Sequence, residues 1–344
     1  MSKEYINKIL NDFPKYVLSP KDERIIEKQG KVEWITQMLL RKKFRKTKVS
    51  ENTRKEFLDK IEMSVKEDKP LFFIILFGGY KHFWNESHPD VDWAELFNLR
   101  FMSELFAPIL EVHNPGVILE YGSEDVIIGL MDNYPTESLD KYAQSFNQLL
   151  EIYSESIPKN FKINYVRTGE KYDSESLKKE VMAKIPEKKK EWDKLSKEEV
   201  DKMLHRSNRS VMWKGEEDLT NLSEEEKQER IRESKIIEDT FYEVEADYLG
   251  DYFTGDNHIP LVLSWGLSDE NIDNWLTLGS TYASSVDFWI GRGILQKHKD
   301  KFIPRVVSKE QYLNIKDKLK KENIDLMPLN NFNKLEVFEG RLDF

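Results

Sequence analysis

The 344-residue chain has no cysteine, which excludes disulfides, thiolate zinc sites, iron–sulfur clusters and a cysteine nucleophile. Six histidines are left as soft metal ligands. No apolar run approaches the roughly 18–20 residues that cross a bilayer. The amino end, MSKEYINKILNDF, lacks the apolar centre and small-residue cleavage site of a secretory leader. The expected location is therefore cytoplasmic, with no membrane partner. Positive charge is also short: 53 Lys and Arg against 63 Asp and Glu leave a net charge of −10. A general nucleic-acid binder needs a basic surface, so nucleic acid is not an expected partner, although a local pocket for one phosphate is compatible with this balance. Neither GxxxxGK[ST] nor GxGxxG follows any apolar strand, which removes both nucleotide fingerprints. No repeat occurs at periods of 20 to 50 residues.

What is present is enough apolar material, 39% of the chain, for one large or two ordinary domains. Residues 1–66 read as helices: Ser19-Pro20 places a capping side chain before a first-turn proline, and VEWITQMLLRKKF (32–44) has helical spacing. From residue 71 strands alternate with helices. LFFIILF (71–77) suits a strand covered on both faces, and DWAELFNLRFMSELFAPILEVH (92–113) a helix that Asp92 can cap. NPG breaks that helix. VILEYGSEDVIIGL (117–130) predicts a second strand followed by a third, residues 136–156 another helix, and FKINYVR (161–167) a further strand. The pattern predicts an α/β fold with a mixed or mostly parallel sheet flanked by helices, a Rossmann-like arrangement.

Residues 169–245 differ in kind. They are charge-laced, with capping boxes at Ser196–Glu199 and Ser223–Glu226, and read as an inserted helical arm or lid. Beyond them come IPLVLSW (259–265), an apolar segment over 275–295, a short strand in FIPRVV, a helix capped by Ser308 and Gln311, and a last strand or loop. The expected division is a helical segment 1–66, α/β core 67–168, arm 169–245 and the remainder of the core 246–344.

Chemistry concentrates in LFGGYKHFWNESHPDVDWAEL (76–96), at the carboxyl end of a strand, where open α/β sheets place ligands. Gly78 and Gly79 permit positive φ or close backbone approach, and Lys81 can present a cation to a carboxylate or phosphate; a plain glycine turn with an exposed lysine accounts for the same residues. His82, Glu86, His88, Asp90 and Asp92 are suitable divalent-ion ligands in no standard spacing, and Asp90 or Asp92 serve equally as helix caps. Ser123, Glu124 and Asp125 end the next strand. In a parallel sheet this acid-bearing tip lies near the Lys81 loop, so both are expected to face one concave space. In the arm, LHRSNRSVMWKG (204–215) offers Arg206, Arg209 and Lys214 as an anion clamp with Trp213 to dock it, or as helical salt bridges. Asp287, Arg292 and Arg305 close apolar elements and can reach the site or form buried ion pairs. Trp265, Trp275 and Trp289 are expected in the core.

Four pieces in order, FFIILFGGYK, HPDVDWAEL, HNPGVILEYGSED and LDKYAQSFNQLL, resemble the amino-terminal half of the isocyanide synthase family of pyoverdine and dityrosine biosynthesis. The sequence departs from that family where HFWNES replaces a Ser-Pro-Asn-like segment and Ser-Glu-Asp replaces Ser-Asp-Gly. The resemblance implies a reaction without cofactor or metal, in which an amino acid amine condenses with the ketone of a pentulose phosphate. Its partners would be those two small molecules. It implies Lys81 as cation or proton carrier and Ser123 with Asp125 at the amine. Residue chemistry alone adds Arg206, Arg209 and Arg292, with Gly78 and Gly79, for substrate binding. Two other readings stand beside it: a metal-assisted hydrolase or transferase using His82, His88 and Asp90, and a noncatalytic protein that binds a partner through the arm.

Overall fold

A computed structural model describes residues 1–44, 48–78, 80–85, 87–130, 136–201, 222–254, 261–264, 275–278 and 288–342. Four helices open the chain, α1 (Ser2–Asn11), α2 (Pro20–Gln29), α3 (Lys31–Leu39) and α4 (Glu51–Lys66). The expected cap at Ser19 forms: its hydroxyl accepts from the Asp22 amide, and Asp22 accepts from the Ser19 amide in return. Asp22 also accepts from Tyr16 Oη at 3.0 Å and Trp34 Nε1 at 3.1 Å, so one buried carboxylate ties the loop before α2 to the core of α3.

Burial alone would raise the Asp22 pKa, but the hydrogen bonds from Ser19, Trp34 and Tyr16 outweigh it and hold the carboxyl at about 2, against 3.8 unperturbed. A lowered carboxylate pKa contributes stability that is present above the unfolded value and lost as pH falls through the folded one. Asp22→Ala is therefore expected to cost about 2 kcal/mol at neutral pH. In urea denaturation the gap between variant and native protein should narrow between pH 4 and pH 2; a gap that stays constant with pH would sink this account of Asp22.

The main sheet is parallel throughout its described strands, in the order β3 (Phe161–Arg167), β2 (Val117–Ser123), β1 (Leu71–Phe77), β4 (Leu261–Ser264) and β5 (Trp275–Thr277). The order reverses between β1 and β4, the topological switch point of a doubly wound, Rossmann-like sheet. β1 reads as an unbroken apolar run because both its faces are covered, and Phe73, Ile74 and Ile75 are fully buried. Helix α5 (Trp93–Val112) is apolar nearly all round and lies in the core, its start fixed by the reciprocal cap of Asp92 and Glu95.

The segment expected as a further strand after Ser123 is instead a helix, α6 (Asp125–Leu130). A short apolar run does not distinguish a strand from a buried helical turn. Here the acid at its first position suits a helix start, and Val126, Ile127 and Ile128 are buried in helical form. Next come α7 (Thr136–Ser154), α8 (Ser174–Trp192) and α9 (Glu224–Thr254). The last two pack on each other as the arm. Its outer part has a small cluster of its own, Trp192, Ile231 and Ile236, while Leu177, Val181, Phe241 and Val244 join the main core.

A second, mixed sheet was not expected as a unit, although its strand in FIPRVV was. It runs β7 (Lys301–Val307), β6 (Arg292–His298), β9 (Lys334–Glu339), β8 (Leu319–Asn323), with β6–β9 parallel and the outer pairs antiparallel. The expected box of Ser308 and Gln311 caps α10 (Lys309–Ile315). This sheet docks on the start of α5 at Gly293, where a Cβ would stand 2.2 Å from the Ala94 nitrogen.

Candidate functional site

Parallel pairing sets three strand ends side by side, Phe77 opposite Ser123 and Ser123 opposite Arg167. The Ser123 hydroxyl donates to one oxygen of Asp125, and Arg167 Nε pairs with the other. Arg167 reaches on to Asp140 at 2.7 Å, and the Thr168 hydroxyl holds the Ser123 carbonyl at 2.9 Å. Burial raises the Asp125 pKa, although the Ser123 hydrogen bond and the Arg167 charge pull against it.

Glu124 turns the other way, toward the arm. Its backbone amide donates to the Phe77 carbonyl at 2.8 Å, which fixes it at the tip of the sheet. Its side chain is buried, with Oε2 accepting from Tyr242 Oη at 2.9 Å and Oε1 left with no hydrogen-bond partner. Close by, buried Glu245 accepts from Tyr172 Oη at 2.7 Å. Burial raises both carboxyls, Glu245 to about 7 and Glu124 well above its ordinary value, the latter pushed further by the Glu245 and Glu238 charges. Glu238, Phe241, Tyr242 and Glu245 recur at three and four along α9 and so share one helix face.

Lys81 belongs to a different network. It is 1% exposed, and its Nζ donates to the Phe288 carbonyl at 2.9 Å and to the Gly291 carbonyl, with Asp92 at 3.2 Å and Glu95 at 3.3 Å. Tyr142 Oη and the Asp92 amide donate to Glu95, and the Ala94 amide to Asp92. Burial and the Asp92 charge raise Glu95 to about 8 against the opposing pull of Lys81. Rings around Phe77 link the two networks: Phe77 meets Tyr142 at 6.3 Å and Tyr165 at 6.0 Å, with Phe146 and Phe288 at 5.5 Å. The expectation that Lys81 and Asp125 open into one space is thus corrected. Each is already paired within its own network, and aromatic side chains pack between them.

No family model matches the sequence, and no curated protein matches it. A solved structure does: the PvcA protein of Pseudomonas aeruginosa, with 14% sequence identity, coverage of 89% of this chain and 99% of that one, and a TM-score of 0.60. The fold is shared with PvcA. At this identity the likeness shows architecture alone, and it extends over 89% of the chain rather than only the amino-terminal half.

On that PvcA-like frame the other expected residues separate. Gly78 is buried at the end of β1, and Gly79 lies outside the described residues. His82 Nδ1 bonds the Ser138 hydroxyl at 2.9 Å, Asp90 accepts from Asn330 at 2.8 Å, His88 is exposed, and Glu86 lies outside the described residues. Among the described residues no three His, Asp or Glu side chains gather as metal ligands, so nothing brings His82, His88 and Asp90 together as the alternative metal reading requires. Arg292 pairs with Glu336 at 2.8 Å and lies against the Trp84 and Tyr312 rings. Arg305 donates to Gln296, and Trp289 is in the core beside Phe77 as expected. Arg206, Arg209, Trp213, Lys214, Trp265 and Asp287 fall outside the described residues, as does the Trp275 side chain.

Sequence reasoning missed Arg167, Tyr172, Tyr242 and Glu245. Arg167 was within reach, since it ends the third strand beside an acid-bearing neighbour. The α9 residues gave only a polar stripe at helical spacing. An open groove of about 870 Å³, lined by Trp192, Val200 and the first turns of α9 to Arg232, lies at the outer end of the arm. It is about ten residues, or roughly 15 Å, along α9 from Tyr242, and its lining includes none of the strand-tip groups.

Proposed function

We propose that this protein is an isocyanide synthase-like biosynthetic enzyme that joins the amine of an amino acid to the ketone of a pentulose phosphate. One observation carries the reading: the segment resembling that family, residues 70–150, folds into the centre of an architecture shared with PvcA, and its Ser123–Asp125 tip lies at the ligand side of the sheet. An amine attacks a ketone as its free base. The new C–N bond forms while the carbonyl oxygen takes a proton, and loss of that oxygen as water then needs an acid. Carboxyls that hold a proton near neutral pH suit both transfers, and Glu245, at about 7, is one. Asp125, fixed by Ser123 and Arg167, orients the tip. Arg206 and Arg209 are the proposed phosphate ligands, on residue chemistry alone. Lys81 keeps no part in this scheme, because its ammonium is held by protein groups.

The test is incubation with each common amino acid together with ribulose 5-phosphate carrying a labelled ketone carbon, followed by mass spectrometry. An isonitrile that contains the label and requires both reactants is expected. Asp125→Asn should slow its formation, because the strand tip loses the group that Ser123 and Arg167 hold in place. If no pairing yields an isonitrile, and neither reactant raises the melting temperature, the proposed function is wrong.

A further inference from the structure

We propose that Glu124 and Glu245 receive a primary ammonium group of a small-molecule ligand at the carboxyl end of the parallel sheet. The other buried acids of this protein, and half-buried Asp125, are all matched. Asp92 and Glu95 have Lys81, Asp125 has Arg167, and Glu336 has Arg292. Asp22 lacks a cation but has donors on both of its oxygens. Glu124 and Glu245 have neither arrangement. Among the described residues no lysine, arginine or histidine pairs with either, and Glu124 Oε1 is buried without any donor. A buried acceptor left unmatched carries a desolvation penalty, which a ligand donor would relieve.

The arrangement also selects the kind of cation. Tyr242 already occupies Oε2 of Glu124, and Tyr172 occupies Oε1 of Glu245. A guanidinium fork seeks both oxygens of one carboxylate, so it is poorly matched here, whereas an ammonium is a point charge whose donors diverge toward separate acceptors. A divalent metal would require further oxygens, and no third ligating side chain gathers among the described residues. The groups facing the pair are Glu238 and Tyr242 from α9 and Tyr172 from the turn before α8. None of them brings a positive charge. Since the pair holds protons at mildly acidic pH, entry of an ammonium should expel one. The assignment deepens the proposed function by naming the groups that meet the amine, and rests on it only for the expectation that the amine belongs to an amino acid.

The experiment compares the full chain with Glu124→Gln and Glu245→Gln, using the common L-amino acids and, for each, the desamino acid that keeps the carboxylate and side chain but lacks the amine. At least one amino acid should raise the melting temperature while its desamino counterpart does not. Calorimetry at pH 6 in buffers of different ionisation enthalpy should show proton release on binding. That measurement uses the unaltered protein and needs neither variant to fold. Each glutamine variant should bind about tenfold more weakly or worse. The inference is overturned if no amino acid stabilises the protein, if binding releases no proton, or if both glutamine variants bind undiminished. Stabilisation without any isonitrile would remove the proposed reaction and leave the ammonium site. Isonitrile formation undiminished in Glu124→Gln would remove the ammonium site and leave the proposed reaction.

Discussion

Lys81→Met should cost about 3–5 kcal/mol of folding stability, the range for removing one partner from a buried ion pair. Methionine fills much of the same volume but has no charge and no donor. Its introduction leaves Asp92 and Glu95 without their cation and the Phe288 and Gly291 carbonyls without their donor. The damage is not local, because the Phe288 carbonyl is 207 positions from Lys81 in the chain. Through this ammonium the loop after β1 grips the segment leading into the second sheet, and Trp84 Nε1 reinforces the grip by donating to the Ile290 carbonyl at 2.7 Å. Had Lys81 been a reacting group facing open space, the same change would leave stability nearly intact. A urea midpoint equivalent to within about 0.5 kcal/mol of the native protein would therefore overturn the structural role.

The same network gives stability a pH dependence with a definite sign. Glu95 loses its proton near 4.5 in the unfolded chain but at about 8 when folded. The folded chain thus holds the extra proton between those values. Stability from this group is complete below 4.5 and declines as pH rises toward 8. Glu95→Gln should flatten that decline, since the amide oxygen can still accept from Tyr142 or Lys81 while the buried negative charge is gone. In the double variant with Lys81→Met, part of the lost stability should return at pH above about 8, where Glu95 would otherwise ionise and the methionine would face two buried carboxylates rather than one.

Much of this architecture was legible in the sequence for local reasons. β1 announced itself because a strand covered on both faces has no polar positions. The starts of α2, α5 and α10 were marked by Ser19, Asp92 and Ser308, whose capping bonds are made within three residues. What failed was whatever depends on partners distant in sequence. The second sheet is completed by β6 pairing in parallel with β9, and neither strand reveals the other. Glu124 was read only as part of the acid-bearing tip because its partner Tyr242, 118 positions away, lies on a helix that read as a charged arm or lid. Lys81 and Asp125 were correctly placed at adjacent strand ends, yet sequence position says nothing about which way a side chain turns. Asp92 and Glu95 were in plain view beside Lys81. Their value as buried counter-ions becomes apparent only once residues 288–293 cover them.

Gly116→Ala is expected to be the most damaging of the single-methyl additions, and it bears on the site because it acts at the opposite end of the same strands. Gly116 follows the Asn114-Pro115 turn at φ +85°, a region that residues with a Cβ rarely adopt. Its carbonyl accepts from the Leu71 amide, and the next residue, Val117, donates to the Asn160 carbonyl at 2.9 Å. The starts of β1, β2 and β3 are thus sewn together at this one turn, and their ends, Phe77, Ser123 and Arg167, inherit the register. A Cβ here would fall 1.7 Å from the Asn160 carbonyl oxygen, which is backbone and cannot rotate aside. Gly30 supplies the control, with φ +87° and nothing within 4 Å of where its methyl would stand. Gly30→Ala should cost about 1–3 kcal/mol from conformation alone. Gly116→Ala should add the steric penalty, a further 1–3 kcal/mol or so and more if the strands must separate. Denaturation midpoints of the two variants measured side by side isolate the steric part, and equal losses would mean that the β2–β3 approach at Asn160 is looser than this packing requires.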